Sequence, residues 1–454
     1  MNKTFFLDQH GCAKNQVDGE LIITRLEKMG LTRVEDAAEA DLIIINSCGF
    51  IESAKKESLD SLMGARTAYP DAKIILAGCL AERYAELFKT ELPEADGIFG
   101  NGNIDLIDSA VKELFDGKRP VVKPSQKGVC SGDRNTYLNF KGSAYVKITE
   151  GCNNRCTFCA IPIIRGELRS RNADEIVKEM QQLSDSGIHE INLIGQDLAA
   201  YGTGSTDDGF TLPELIKKIS KEVKGNIWIR LLYIHPDHFV PEILDEMKKD
   251  SRFLPYFDIP FQSGDSDVIH AMNRKGSSQE YIRLVKKIRE VFPQSAVRTT
   301  FLTGFPGETE KAAENTCDFL KAIESDWSGC FTYSREDDTP AARMKNTVPK
   351  KVAVQREHRL QEIQSEITER RLKERTGKIY DVLVEEIVEN QSGGDDGLAI
   401  GRAWFQAPEI DGSVVIRYDL DDSKAVSEIV PGALVKVKVF ASSQVDVDGE
   451  YCGS

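Results

Sequence analysis

Apolar runs of strand length alternate with polar segments of helix length over the first hundred residues. The runs at residues 4–7, 41–45 and 73–77 are apolar enough to be strands buried on both faces, and helix-length segments such as residues 52–67 separate them. This alternation predicts a doubly wound α/β domain built on a parallel sheet.

A second alternation follows a stretch rich in proline, glycine and lysine at residues 114–141, which predicts an interdomain linker. Helical patterns such as residues 173–184 and 278–291 separate six further strand patterns. These strands are predicted at residues 144–149, 190–194, 228–233, 257–260, 297–302 and 330–333. Six βα units predict a partial, open barrel of the TIM type rather than a closed eightfold one.

The C-terminal region changes to a long helix and then to short strands. Residues 350–376 form a charged amphipathic pattern that ends at Gly377, a residue that commonly stops helices. Short apolar runs at residues 380–384, 398–402, 414–418 and 433–439 are separated by glycine, aspartate and proline. They predict a small antiparallel barrel.

Net charge, apolar runs and cysteine content limit the classes of protein to which this chain could belong. The 454-residue chain carries a formal net charge of -15, which disfavours a large phosphate-binding surface and suits a basic protein partner. The N-terminal stretch MNKTFFLDQHGC lacks the features of a signal peptide, and no apolar run reaches membrane-spanning length, so we expect a cytoplasmic enzyme without a membrane segment. Ten cysteines are too few for a disulfide scaffold and suggest metal-binding, catalytic or buried thiols.

Three cysteines, Cys152, Cys156 and Cys159, lie within the stretch GCNNRCTFC. Three thiolates can bind zinc or an iron–sulfur cluster, but structural zinc needs a fourth cysteine or histidine, and none follows at finger-like spacing. A four-iron cluster held by three cysteines leaves one iron with an open position for chemistry. The trio also follows a predicted strand at the carboxyl end of the barrel, where such folds place active sites, and this favours a reactive cluster.

Three other cysteines, Cys12, Cys48 and Cys79, each follow a predicted strand closely. They are 36 and 31 residues apart, about the length of one βαβ unit. Their thiols should therefore lie together along the carboxyl edge of the sheet, where open α/β sheets bind ligands. Small buried side chains or a redox-active disulfide are the alternatives, but neither accounts for three thiols in register. We predict a second cluster site.

The spacing Cys-x3-Cys-x2-Cys, with Phe158 before the last cysteine, resembles the radical S-adenosylmethionine superfamily. The resemblance implies that S-adenosylmethionine binds the open iron through its amino and carboxylate groups and is cleaved to a 5'-deoxyadenosyl radical. The cofactor then carries the chemistry, and no catalytic acid or base is expected. The resemblance also implies that Phe158, Gly304 and Gly307 contact the cofactor, although an ordinary turn would equally explain the two glycines.

The whole chain resembles the radical S-adenosylmethionine methylthiotransferase family. The resemblance is carried by GCAKNQVDGE, NSCGFIESAKKES, GCLAERY, KITEGCNNRCTFCAIPIIRGELRSR, GQDLAAYG, FDIPFQSGDSDVIHAMNR, RTTFLTGFPGETE and YSREDDTPAARM. It implies a flavodoxin-like domain at residues 1–120, a radical barrel at 138–375 and a TRAM domain at 377–454. It also implies two 4Fe-4S clusters, with sulfur held at the N-terminal one, and two molecules of S-adenosylmethionine, one as methyl donor and one as radical source. An electron donor and a sulfur source would be further partners.

The branches of this family differ in substrate. One modifies adenosine next to the anticodon of tRNA, and another modifies the β-carbon of an aspartate in ribosomal protein S-twelve (uS12), either free or in the small subunit. The segments CAKNQVD, CGFIESAKKES, YSREDDTPAA and GRAWFQAPEIDG resemble the second branch. The tRNA branch remains the alternative within the family, and a non-enzymatic iron–sulfur scaffold is the alternative from another class.

Charge supports the protein substrate independently. Residues 377–454 contain fifteen acidic and six basic residues, a net charge of about -9. Such a domain would attract a basic ribosomal protein and repel phosphate, so nucleic acid is an unlikely substrate. An effect on solubility alone is the alternative explanation.

Further polar residues are weaker candidates. Gln196 and Arg298 are predicted at or near strand ends facing the barrel mouth, where they could bind polar groups of cofactor or substrate. A basic cluster after the first trio could pair with a carboxylate of either molecule, or could simply be a solvated helix start; it consists of Arg165, Arg169 and Arg171. His235 and His238 in HPDH resemble a metal pair, but without further ligands a loop is favoured.

The chain departs from the usual family residues at three positions. His10 and Gly19 are expected to shape the loop near the second cluster. Ser263 is expected to touch the barrel interior and could affect contacts with the substrate or S-adenosylmethionine.

Overall fold

Three consecutive segments of the chain build separate sheets. The computed structural model describes residues 3–126, 128–204, 209–389 and 396–453. The first two sheets have six strands each, and the third closes into a five-stranded barrel. Within these described ranges, no helix is long and apolar enough to cross a membrane.

The first sheet is parallel throughout and has helices on both faces. Its strands are β1 (Thr4–Gln9), β2 (Thr32–Arg33), β3 (Leu42–Ser47), β4 (Lys73–Gly78), β5 (Gly97–Gly100) and β6 (Val121–Val122). Its helices are α1 (Ala13–Lys28), α2 (Glu52–Ala68), α3 (Cys79–Glu91) and α4 (Ile107–Phe115). The strand order is β2-β1-β3-β4-β5-β6, and β3 is buried along its whole length because α1 and α4 cover one face and α2 and α3 the other. The predicted doubly wound domain is confirmed.

The edge strand β6 lies inside the segment that the sequence predicts as a linker. Its two residues follow the predicted domain boundary at residue 120, and they pair in parallel with Ile98 and Phe99 of β5. Two residues are too few to produce a recognisable strand pattern, so only backbone pairing reveals this strand.

The second sheet is also parallel and forms the predicted partial barrel. Its strands are β7 (Ser143–Lys147), β10 (Glu190–Ile194), β11 (Trp228–Leu231), β12 (Phe253–Asp258), β13 (Ala296–Thr303) and β14 (Trp327–Thr332), and the short strands β8 (Thr149–Glu150) and β9 (Arg169–Ser170) pair separately. Its helices are α5 (Ile161–Ile164), α6 (Ala173–Asp185), α7 (Leu212–Glu222), α8 (Glu242–Met247), α9 (Ser266–Ala271), α10 (Ser278–Val291) and α11 (Glu310–Ile323). The order β14-β13-β12-β11-β10-β7 follows the chain, with β7 and β14 at the two edges.

One strand of this sheet lies earlier than predicted. The sequence pattern places the fourth strand at residues 257–260, whereas β12 spans Phe253–Asp258. Pro255 interrupts the apolar run and conceals its first half. In the structure the register between β11 and β12 shifts at this point, which is where a strand tolerates a proline without an N–H group.

A long helix leads into the closed C-terminal barrel. The helix α12 spans Lys350–Lys373, close to the predicted 350–376. The elements that follow are β15 (Ile379–Val388), β16 (Asp396–Ala403), β17 (Val414–Asp419), α13 (Ser423–Glu428), β18 (Leu434–Ser442) and β19 (Val447–Gly453). Their order is β15-β16-β17-β19-β18; four pairings are antiparallel as predicted, whereas β17 and β19 run parallel. The sequence pattern missed β19, which contains two glycines.

The C-terminal barrel docks on the amino-terminal end of the partial barrel. Glu190, the first residue of β10, accepts hydrogen bonds from Arg402 at 2.7 Å and from Arg230 at 2.9 Å. Arg230 also donates to the carbonyl oxygen of Trp404 at 2.8 Å. The segment GRAWFQAPEIDG is therefore an interdomain contact, and the carboxyl ends of the barrel strands lie at the opposite end of the sheet.

Replacing Glu190 with glutamine should destabilise the protein strongly. Burial alone would raise the pKa of Glu190, but Arg402 and Arg230 lower it below its ordinary range. The E190Q variant removes the carboxylate that Arg230 and Arg402 share, and Arg402 retains its second partner Glu385, so we expect the free energy of unfolding to fall by about 3–5 kcal/mol. Because the pKa is depressed in the folded state, this contribution is present above about pH 4.3 and is lost as the pH falls further.

Urea unfolding followed by circular dichroism at pH 7 and at pH 3 would measure both effects. Glu290 offers a control, because its carboxylate is 67% exposed and 3.5 Å from Lys287. The E290Q variant should change the free energy of unfolding by less than about 1 kcal/mol. Equal stabilities of E190Q and E290Q would contradict the role given to Glu190.

Candidate functional site

The trio Cys12, Cys48 and Cys79 lies at the carboxyl edge of the first sheet. Cys12 stands between β1 and α1, Cys48 follows β3, and Cys79 begins α3 directly after β4. The three loops touch: a Cβ on Gly11 would lie 2.9 Å from Cβ of Cys48, and one on Gly49 would lie 2.7 Å from the carbonyl oxygen of Cys79. Gly11 also has a φ of +84°, which other residues rarely adopt. Glycines beside two of the cysteines therefore let the three loops converge.

The three thiols of this trio are electrostatically different. Burial raises the pKa of Cys79 to about 12 and also raises the pKa of Cys48. Burial would raise the pKa of Cys12 as well, but the positive charges of Lys14 and Arg165 outweigh it and lower that pKa. Cys12 is therefore the thiol of this trio that deprotonates most readily.

A residue of the partial barrel reaches into this site. Arg165 donates hydrogen bonds to Sγ of Cys79 at 3.2 Å, to Asp18 at 3.0 Å and to Glu150 at 2.7 Å. Lys147 forms ion pairs with the same two carboxylates. All four charged side chains are at most 5% exposed. The two domains thus meet through a buried ionic network that ends on a cysteine.

The trio Cys152, Cys156 and Cys159 occupies the loop between β8 and α5, at the carboxyl end of the second sheet. The loop backbone is held in place by Asn273, whose side-chain amide donates to two of its carbonyl oxygens at 3.1 Å each. The amide of Cys152 donates to the carbonyl oxygen of Gly166 at 3.1 Å. Burial raises the pKa of Cys152 to about 12 and raises the pKa of Cys159 above its usual range.

The spread of the thiols bears on which metal each trio could hold. Four thiolates around zinc, each about 2.3 Å from the metal, lie roughly 4 Å apart. Among the described residues, neither trio has its three sulfur atoms all within 4.8 Å of one another. A four-iron cluster binds each thiolate through a different iron and so accepts a wider spread. The donor set therefore fits an iron–sulfur cluster better than a single zinc ion.

Phe158 and the two predicted glycines lie near one another in the barrel. Phe158 packs against an apolar cluster that includes Met272 and Phe305. Gly304 and Gly307 both have positive φ, and a Cβ on Gly304 would lie 2.4 Å from Cβ of Ala353 in α12. Gly304 is thus explained by helix packing and a turn, and contact of these residues with the cofactor stays a prediction.

Gln196 and Arg298 lie in different parts of the barrel. Gln196 follows the carboxyl end of β10 and donates to Glu150 at 3.1 Å, so it joins the network around Arg165. Arg298 is the third residue of β13, away from the carboxyl end where the sequence pattern predicts it. Its guanidinium lies 3.1 Å from Asp258 and 3.5 Å from Asp411 of the C-terminal barrel. Binding of cofactor or substrate by these two residues stays a prediction.

The three arginines predicted as a basic cluster after Cys159 do not share one site. Arg165 is buried in the ionic network, whereas Arg169 donates to the carbonyl oxygen of Gly128 at 2.6 Å. Arg171 pairs with Glu179. Arg165 caps the end of α5, Arg169 begins β9 and Arg171 follows that strand, so closeness in sequence does not place these side chains at one site.

The HPDH segment forms a short helical turn beside the loop that carries Cys152, Cys156 and Cys159. Nδ1 of His238 lies 2.6 Å from a carboxylate oxygen of Asp197, and the amide of His235 donates to the other oxygen at 3.2 Å. Asp197 also accepts a hydrogen bond from Asn154 of the cysteine loop at 3.0 Å. Within the described part of the chain, Asp197, His235 and His238 place one potential ligand atom each within 4.8 Å of the others.

The three departures from the family pattern have local explanations. His10 lies 3.0 Å from Asp8, and a Cβ on Gly19 would lie 2.3 Å from Oε1 of Gln9. The hydroxyl of Ser263 lies 3.2 Å from that of Thr316 in α11. The expectation that Ser263 touches the barrel interior is wrong, because its side chain faces the surrounding helix layer.

Sequence reasoning missed three residues of the ionic network, Asp18, Lys147 and Glu150, and it also missed Lys14, which contacts Gly195 and Tyr233. Lys14 and Asp18 lie one helical turn apart on α1, inside the motif CAKNQVD. The available signal for Lys147 was a charge within the buried-strand pattern AYVKIT, since buried lysines are rare unless paired.

Comparisons with known proteins cover all three regions. The chain matches the Radical SAM superfamily over residues 146–320, the uncharacterized protein family UPF0004 over residues 4–100 and the TRAM domain over residues 376–452. A protein of Treponema denticola named ribosomal protein uS12 methylthiotransferase RimO is 50% identical over 97% of this chain and 99% of its own length. A protein of the same name from Carboxydothermus hydrogenoformans is 37% identical over 98% of this chain and 99% of its own length.

A solved structure shares the fold at low sequence identity. It is the radical S-adenosylmethionine methyltransferase TsrM from Kitasatospora setae with cobalamin and a [4Fe-4S] cluster bound. The match has a TM-score of 0.55 and 15% identity, and it covers 75% of this chain and 77% of that one. At this identity the likeness concerns the fold alone.

Proposed function

The chain belongs to the family of ribosomal protein uS12 methylthiotransferases, and on that premise we propose that it attaches a methylthio group to the β-carbon of an aspartate residue of uS12 by radical S-adenosylmethionine chemistry. The observation that carries the proposal is the meeting of the two cysteine sites. Arg165, from the segment that follows one trio, donates to Cys79 of the other at 3.2 Å. An enzyme that removes hydrogen at one site and adds sulfur from another needs this proximity.

In this proposal each cysteine trio holds one 4Fe-4S cluster. Cys152, Cys156 and Cys159 hold the cluster that binds S-adenosylmethionine, and Cys12, Cys48 and Cys79 hold the cluster that carries the sulfur. The donor chemistry supports the assignment, because both sets are thiols spread too widely for one zinc ion. When bound, these groups supply the radical that removes a hydrogen atom and the methyl and sulfur that replace it.

The residues of the chain would position these groups and compensate their charge. Arg165 and Asn101 both donate to Sγ of Cys79 at 3.2 Å, which stabilises the thiolate as a ligand. Phe158, the residue before Cys159, packs against the apolar cluster of Met272 and Phe305. Oε1 of Gln196 is buried and has no protein partner among the described residues, so we propose that it accepts a hydrogen bond from cofactor or substrate.

The acidic C-terminal barrel supports a protein substrate over tRNA. Several carboxylates of this domain lie on its exposed surface, namely those of Asp381, Glu386, Glu389, Asp396, Asp419 and Glu450. They would attract a basic ribosomal protein and repel a phosphate backbone. The proposal also requires an electron donor and a sulfur source, and it places the enzyme in the cytoplasm with the ribosome.

One experiment separates the candidate functions. The clusters are reconstituted anaerobically, S-adenosylmethionine and a reductant are added, and uS12, small ribosomal subunits and tRNA are offered side by side. We expect mass spectrometry to show a methylthio group on the aspartate of uS12 and none on tRNA. Modification of tRNA alone would contradict the substrate assignment, and absence of S-adenosylmethionine cleavage would contradict the enzyme assignment.

Reversing charges on the C-terminal barrel should weaken binding of uS12. Glu386 and Glu450 are exposed, so E386K/E450K should fold normally. We expect several-fold weaker binding at low ionic strength, measured by fluorescence anisotropy with labelled uS12. The difference should disappear near 1 M salt, where charges are screened beyond about 3 Å.

The matched control places the same charge change on another domain. Glu86 and Glu91 are exposed on α3, and E86K/E91K should affect the affinity less than E386K/E450K does. Equal weakening by both double variants would show that only the net charge of the protein matters.

A further inference from the structure

A lysine of the first domain spans the gap between the two cysteine sites. Lys14 lies two residues after Cys12, at the beginning of α1. Its ammonium donates to the carbonyl oxygen of Gly195 at 3.3 Å and lies 3.5 Å from the ring centroid of Tyr233. Gly195 and Tyr233 follow the carboxyl ends of β10 and β11, so the Lys14 ammonium touches the mouth of the partial barrel. The backbone of Lys14 lies in the first domain, two residues after Cys12.

Among the described residues, Lys14 differs from the neighbouring buried cations Arg165 and Lys147 in lacking a carboxylate partner. Arg165 and Lys147 are each paired with both Asp18 and Glu150. Lys14 is only 8% exposed, yet within the described ranges no carboxylate oxygen lies within 4.0 Å of its ammonium. A carbonyl oxygen and an aromatic face solvate the cation without neutralising it. A buried charge usually has a counter-ion, which points to an anion that binds here.

The proposed function defines where that anion would be. The carbon that loses hydrogen at the barrel mouth is the one that receives sulfur from the Cys12 site, so it must lie between the two. In an aspartate residue, the β-carbon is bonded directly to the carboxylate carbon. The substrate carboxylate therefore enters the same space as the reacting carbon.

We propose that the Lys14 ammonium binds the side-chain carboxylate of the substrate aspartate and makes the enzyme selective for a carboxylate over an uncharged amide. This inference rests on the proposed function. The Tyr233 ring and the Gly195 carbonyl hold the ammonium in place, and its remaining N–H group is available for a charge-assisted hydrogen bond to the substrate. Lys14 thus acts in recognition, and the hydrogen and sulfur transfers require no proton from it.

Two other roles compete with this one. Lys14 could serve only to balance the charge of a cluster on Cys12, because its ammonium is the largest favourable influence on that thiolate. Arg274 is a second buried cation without a carboxylate partner among the described residues, and it donates to the carbonyl oxygens of Pro260 and Phe261. It influences Cys152 and Cys159 of the first trio, so it suits the cofactor side of the site better than the substrate side.

The test compares two substrates in one enzyme preparation. Peptides of uS12 that carry either the target aspartate or asparagine at that position are offered to the reconstituted enzyme. For the unmodified enzyme, we expect kcat/KM and peptide affinity to favour aspartate by roughly 10- to 100-fold, the range of a charge-assisted hydrogen bond. In K14M and in K14Q, the preference should fall to about 1, while K14R should retain part of it.

The ratio of kcat/KM for the aspartate peptide to that for the asparagine peptide distinguishes a role of Lys14 in recognition from a role in folding or cluster assembly. Incomplete cluster assembly lowers the rates for both peptides equally and cancels in the ratio, and the affinities measured by fluorescence anisotropy do not depend on turnover. K28M is the matched control, because Lys28 is exposed on the same helix, and it should keep the full preference. If K14M does not assemble, K14Q tests the same point, because its amide can still donate to Gly195.

The outcomes distinguish this inference from the proposed function. A preference for aspartate that survives in K14M and K14Q would overturn the role of Lys14, as would an equal loss of activity on both peptides. An unmodified enzyme that modifies neither peptide nor intact uS12 would instead contradict the proposed function.

Discussion

Replacing Cys79 with alanine (C79A) is expected to abolish methylthiolation of uS12 while S-adenosylmethionine is still cleaved. Cys79 belongs to the trio on the first domain, and its loss should remove one cluster, or about four iron atoms per chain. The radical site on the second domain has its own three cysteines and should remain. We expect methylthiolation to fall more than about 100-fold, beyond the usual effect of losing an outer-shell partner.

The complementary variant should show the opposite pattern. In C156A the first domain keeps its trio, but cleavage of S-adenosylmethionine to 5'-deoxyadenosine should stop. Iron analysis, the electron paramagnetic resonance signal of the reduced protein and chromatography of 5'-deoxyadenosine measure these outcomes. Cys317 provides the control, because it is a buried thiol in α11 outside both trios, and C317A should keep both activities. Full iron content in C79A would contradict the second cluster site.

Replacing Arg165 with lysine (R165K) is expected to uncouple the two sites. The guanidinium contacts Cys79, Asp18 and Glu150 at the same time, with distances of 2.7 to 3.2 Å. A lysine keeps the positive charge but lacks the planar fork that reaches three acceptors. We expect methylthiolation to fall by about 10- to 100-fold, which is typical when a partner of a metal ligand is lost.

Cleavage of S-adenosylmethionine should change little in R165K, because the loop of the first trio has its own supporting hydrogen bonds. The measurements are the yield of methylthiolated uS12 per 5'-deoxyadenosine formed and the reduction potential of the cluster on the first domain. R169K is the control, because Arg169 lies four residues later and, among the residues that the structure describes, its guanidinium donates only to backbone carbonyl oxygens. An unchanged yield and potential in R165K would show that Arg165 is only an interdomain packing residue.

The first domain and the C-terminal barrel dock on opposite ends of the partial barrel. The C-terminal barrel covers the amino-terminal end of the partial barrel through Glu190, Arg230 and Arg402. The first domain instead meets the carboxyl side, through Lys14 and Arg165. Both cysteine trios thus lie on the carboxyl side of the barrel strands, while the acidic domain is held at the opposite end of these strands.

The amino-acid sequence alone determined both cysteine trios as groups and the fold of each domain. Cys12, Cys48 and Cys79 could be predicted to converge because each follows a parallel strand, and the carboxyl ends of parallel strands lie on one edge of a sheet. The partial barrel followed from six periodic strand and helix patterns. These are local properties, since the period of apolar residues decides which face of an element is buried.

Only the tertiary structure decided which residues connect the domains. Lys14 meets Gly195 across 181 positions of sequence, and Arg402 meets Glu190 across 212. No periodicity joins such pairs, because they depend on how folded domains dock, and a charged residue that pairs across an interface has the same local pattern as one exposed to water. For that reason the sequence groups Arg165 with Arg169 and Arg171, and only its contact with Cys79 in the folded protein sets it apart from them.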